Sequence, residues 1–62
     1  MIKSVLKIEN EMVLVFNEND EQIPEYQGLY EEIRGKILAD APLDAVFGHL
    51  VTGLKAVPRE EW

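Results

Sequence analysis

The chain has 62 residues, no cysteine, one histidine, and twelve acidic against six basic side chains, for a formal net charge of −6. A disulfide scaffold is excluded, a closed structural zinc cage lacks its usual sulfur and imidazole ligands, and the scattered bases are poorly suited to neutralising a phosphate backbone. No apolar run approaches the ~20 residues of a membrane-spanning helix, so the expectation is a cytoplasmic protein that binds neither nucleic acid nor membrane.

Met1 to Ile8 carries two lysines but neither a long apolar segment nor a small-residue cleavage site, and does not read as a secretion signal. Within it, Ile2, Ser4, Leu6 and Ile8 alternate with Lys3, Val5 and Lys7. That is the period of a half-buried strand, and outward lysines suit a sheet edge. Glu9-Asn10-Glu11 is a polar break in which Asn10 tolerates the positive φ of a tight turn. Met12-Val13-Leu14-Val15-Phe16 follows, apolar without alternation, so residues 1–16 are expected to form a β-hairpin.

Residues 17–22 are a polar loop. Asn17, Asn19 and Glu21 have the spacing of the first ligands of a calcium loop, but Gln22 and Gly28 stand where glycine and glutamate are needed, so a solvated turn is expected. From about residue 25 to 39 the period becomes helical, with Tyr26, Leu29, Tyr30, Ile33 and Ile37 on one stripe. Either Pro24 opens this helix, or Gly28 caps it after a turn over Pro24 to Gln27. Gly28 and Gly35, seven apart, would share the outer helical face. Pro42 disfavours a helical Ala41 and ends the element. Residues 45–51 read as a strand, Thr52-Gly53 as a turn, and Leu54 to Val57 as a returning strand stopped by Pro58. Pro58 to Trp62 resembles the first turn of a helix.

The expected fold is α+β: one small domain over residues 1–62, in the order ββαββ, with a four-stranded sheet and one helix on one face. The second and third strands would lie side by side in parallel, since the connection over residues 17–44 exceeds the dozen residues a crossover needs. An antiparallel arrangement of the two hairpins is the alternative. One helix covers only one side of such a sheet, yet the middle strands are apolar on both sides, as in strands buried on both faces. A core this small usually adds a stapling device, and oligomerisation is the one left. The expected partner is therefore a second copy or another protein, and Val13, Val15, Val46, Leu50 and Trp62 are the expected contact residues. Loops, N-terminal residues and Trp62 folding over the second face would remove the need for a partner.

Catalysis is poorly provided for. His49 would need Asp40 or Asp44 as its partner, and Ser4 and Thr52 are the only hydroxyl nucleophiles apart from the tyrosines. No cofactor or metal is expected. The reading is a small non-enzymatic protein-interaction module, accessory or regulatory, acting as a homodimer. The alternative is a small-ligand-binding protein with a pocket between protomers near His49, Tyr26 and Tyr30.

Overall fold

The computed structural model describes residues 1–50 and 53–62. Strands β1 (Ile2–Ile8) and β2 (Met12–Asn17) form the expected antiparallel hairpin, with Leu6 opposite Leu14 and Lys7 opposite Val13. The break at Glu9–Glu11 is a tight 3-10 turn, in which Asn10 and Glu11 adopt φ of 67° and 59°. After a loop and a second 3-10 turn at Pro24–Tyr26 come β3 (Gly28–Leu29), helix α1 (Tyr30–Asp40), β4 (Val46–Leu50) and β5 (Leu54–Val57). A last 3-10 turn, Arg59–Glu61, leads to Trp62. The expected positions of Val51 and Thr52 lie outside the described residues.

The α+β class with one helix stands, but the sheet is mixed and five-stranded, in the order β3-β2-β1-β4-β5. The parallel pair is β1 with β4, Val5 lying opposite Phe47 and Lys7 opposite His49. This corrects both expected arrangements: the hairpins do meet in parallel, but through the first and third expected strands, β1 and β4, rather than through the second and third, and they are not antiparallel. The chain itself occupies the outer edge of β2. Phe16 bridges Gln22, the Ile23 amide donates to the Val15 carbonyl at 2.8 Å, and Met12 pairs with Leu29. The remaining open edge of the hairpin is that of β1, and β4 takes it. β1 is thus central and its lysines do not mark an edge. Lys7 instead lies with its ammonium 4.5 Å from the centre of the Tyr30 ring and 3.3 Å from Glu11.

The helix begins five residues later than the expected residue 25. Residues 24–27 form the turn, with the Gln27 amide bonded to the Pro24 carbonyl, and Gly28 enters a short strand with φ of +149°. In that region glycine alone avoids a Cβ penalty. Gly28 and Gly35 therefore do not form a helical strip. Ile37 is fully buried, and Tyr30, Ile33 and Leu38 pack beside it against the sheet. Leu29, half exposed, leaves the expected stripe because its strand pairing turns it to the other side of the sheet.

The core lies between α1 and one face of the sheet. Val5, Val13 and Val15 are fully buried there with Phe47, Ile37 and Trp62. Ile2 joins them because the register of β1 slips between Ile2 and Ser4, which turns Ile2 inward against the simple alternation. The C-terminal strap closes the open end of this core. Trp62 is 1% exposed, its indole N–H donates to the Gly48 carbonyl at 3.1 Å, and its ring lies 5.1 Å edge-on to Tyr30 and 5.0 Å from Phe47. The hydroxyl of Tyr30 donates to the Trp62 carbonyl. Arg59 ties the strap to the helix end by donating to the carbonyls of Leu38 (3.2 Å), Ala41 (3.1 Å) and Pro42. The last carbonyls of a helix lack intrahelical partners, and the guanidinium supplies donors where they are needed.

Candidate interaction surface

Strand parity follows directly from the pairing. Val5, Val13, Val15 and Phe47 face the helix, so the alternate residues face away from it. On β1 these are Ser4, Leu6 and Ile8; on β2, Met12, Leu14 and Phe16; on β4, Val46, Gly48 and Leu50. β5 adds Leu54 and Ala56, and β3 adds Leu29 opposite Met12. Gly48 confirms the assignment from the other direction. A Cβ built there would meet Cδ2 of Leu6 at 3.2 Å and Cδ1 of Leu54 at 3.4 Å, side chains of the same outer layer.

Among the described residues no element lies over this face. Val46 is 53% exposed, Leu50 39% and Leu54 68%, while Leu6, Ile8, Leu14 and Phe16 are half-buried. None of the outward strand positions just named carries a charge, in a chain with net charge −6. Isolated exposed apolar residues need no explanation, but a contiguous patch of several hundred Å² marks an interaction site or a ligand groove.

The five expected contact residues are divided by this geometry. Val46 and Leu50 lie on the open face. Val13 and Val15 are on the opposite side, fully buried beneath the helix, and Trp62 is a core residue of its own chain. The physical reason is register: β2 and β4 are separated by β1, and the alternate set Met12, Leu14 and Phe16 is the one level with Val46 and Leu50. The face also holds Leu6 and Ile8, whose alternation with two lysines suggests inward positions. Their partner positions across β1 in the sheet, rather than the pattern within one strand, reveal where they point.

The remaining candidates do not converge. The Tyr26 hydroxyl donates to Asp40 at 2.8 Å, which together with the charge of Glu25 raises the phenol above its usual 10.0. The Tyr30 hydroxyl is engaged by Trp62 and Arg34. His49 sits on the helix side of β4 between Lys7 and Lys55 on the neighbouring strands, and its Nε2 is buried with no hydrogen-bond partner. Neither Asp40 nor Asp44, the carboxylates an acid–base pair would need, is hydrogen-bonded to that nitrogen, and the Asp40 carboxylate accepts from Tyr26. A hollow of about 250 Å³ beside His49 is lined by Lys7, Ile8, Glu9, Asn10 and Glu11. A second, of about 440 Å³, lies on the open face among Ile8, Leu14 and Leu50, with Glu9 and Asn10 at its rim. Among the described residues no group of three acidic, histidine or cysteine side chains is placed to hold a metal, and no helix is long and apolar enough to cross a membrane. Asn17 closes its loop by accepting from the amides of Asn19 (2.9 Å) and Glu21 (3.0 Å), which is a turn-stabilising role.

Comparison of the chain with family models, with curated proteins and with solved structures finds no match.

Proposed function

We propose that the chain is a cytoplasmic, non-enzymatic protein-interaction module, accessory or regulatory in role, whose working surface is the uncovered face of its sheet. One observation carries this reading: an apolar layer continuous across the sheet, without a charge on its outward strand positions, open to solvent in a strongly acidic molecule. Such a layer adds nothing to the chain's own core, which lies wholly on the other side. Exposed apolar area of this kind costs solubility and gains free energy when a partner covers it.

The test is a photo-crosslinking residue placed at Leu14, with a control at Glu32 on the helix surface, in cells expressing the chain. The expected result is a protein adduct from position 14 and none from position 32. Adducts to lipid or small molecules alone at position 14 would overturn the reading. A second reading, a small-ligand-binding protein, draws its support from the hollow among Ile8, Leu14 and Leu50. Its volume of about 440 Å³ is within the range of ligand pockets. A partner covering the face would roof that hollow, which fits a ligand site between protomers.

A further inference from the structure

Resting on the interaction reading, we infer that the occupant of the open sheet face is a second copy of this chain, stacked sheet to sheet about a two-fold axis. In a two-fold contact the same patch meets itself, so any charge near the axis meets its own image. With net charge −6, self-contact is opposed over most of this molecule. The outward layer centred on Leu6, Leu14 and Gly48 is free of that conflict, because its strand positions carry no charge and Lys7 and Lys55 lie on the helix side. A partner recognised by complementary charge would be expected to meet acidic or basic groups within the patch, and the strands supply none there.

Five strands at roughly 4.8 Å spacing and about 17 Å average length give a plane of about 400 Å². Two such faces, with the relief of their side chains, lose roughly 1,000 Å² on stacking, the lower bound for a specific interface. The face is therefore large enough for a dimer. Sheets pack face to face at about 10 Å with their strands nearly aligned. Leu6, Ile8, Leu14, Val46, Leu50 and Leu54 supply the apolar side chains that such packing interdigitates. The product is a four-layer assembly, helix outermost on each side, with each copy's strap and Trp62 undisturbed in its own core.

Sedimentation equilibrium of the whole chain across the micromolar range tests this. The wild type is expected to approach twice the 7.1 kDa of one chain. Leu14→Glu and Leu54→Lys are each expected to weaken association at least tenfold while keeping the far-ultraviolet circular dichroism of the wild type. Leu54 is 68% exposed, so its variant decides the matter if Leu14→Glu fails to fold. A wild type that remains at 7.1 kDa throughout overturns the second copy. So does a folded Leu54→Lys and Leu14→Glu pair that associates as tightly as the wild type, since another surface then holds the copies. The crosslinker at position 14 separates this failure from that of the interaction reading. A single chain that still captures a different protein there loses only the second copy; a single chain that captures none loses both.

Discussion

Replacing Trp62 by alanine is expected to remove most of the stability of the fold. The side chain is 1% exposed and touches both layers of the core, with Tyr30 of the helix at 5.1 Å and Phe47 of β4 at 5.0 Å between ring centres. A buried aromatic of this kind removes roughly 150–250 Å² from water. At about 25 cal/mol per Å² that alone is worth on the order of 4–6 kcal/mol, and measured aromatic-to-alanine losses in cores run to about 3–5 kcal/mol. The Gly48 carbonyl also loses the indole N–H that reaches it at 3.1 Å. A core of this size supplies only about 3–5 kcal/mol in total, so the variant is expected to be largely unfolded at room temperature. Trp62→Phe retains most of the ring contact and is expected to cost about 1–2 kcal/mol, chiefly from the unpaired carbonyl. Urea unfolding followed by far-ultraviolet circular dichroism, at one fixed protein concentration because association shifts apparent stability, gives both numbers. The wild-type fluorescence maximum, which comes from Trp62 alone, is expected well to the blue of free indole. A cooperative Trp62→Ala transition displaced by less than about 1 kcal/mol would refute the strap as part of the core.

Two glycine substitutions are expected to act with opposite sign. Gly35→Ala in mid-helix, where an added Cβ meets nothing within 4 Å, gains about 1 kcal/mol in urea unfolding. Gly48→Ala places its Cβ 3.1 Å from the Lys55 carbonyl and destabilises, because that atom belongs to the paired backbone of β5. Tyr26 is expected to ionise above the usual 10.0, because its hydroxyl donates to Asp40 and its tyrosinate would face the charges of Asp40 and Glu25. A folded-state value above the unfolded one means that this contribution is fully present below pH ~10 and is lost as pH rises through the folded value. Ultraviolet titration of tyrosinate is expected to show one step returning toward the ordinary range in Asp40→Asn; an unmoved step would contradict the hydrogen bond as its cause.

The hairpin was legible because a polar Glu9-Asn10-Glu11 break separates two β-favouring runs, and Asn10 takes the positive φ it was suited to. β5 was legible between its turn signal and Pro58, and the inward half of α1 from Tyr30, Ile33 and Ile37. β3 escaped notice because two residues have no period; it exists through pairing with Met12 and Val13. The candidate surface was legible as a surplus of apolar faces over available helix. Its membership was not, since Val13 and Val15 are as apolar as Leu14 and Phe16.

From residue order and type alone follow the α+β class, the single helix, most strand positions and the surplus of apolar sheet faces over available helix, because these depend on local periodicity and on counting faces. Which face that is, and that β1 is central, were decided only in three dimensions. With both sides of β2 apolar, alternation there is degenerate. The choice fell to non-local contacts: the return of residues 22–29 along β2, the slip at Ile2, and Trp62 wedging beneath the helix beside Phe47.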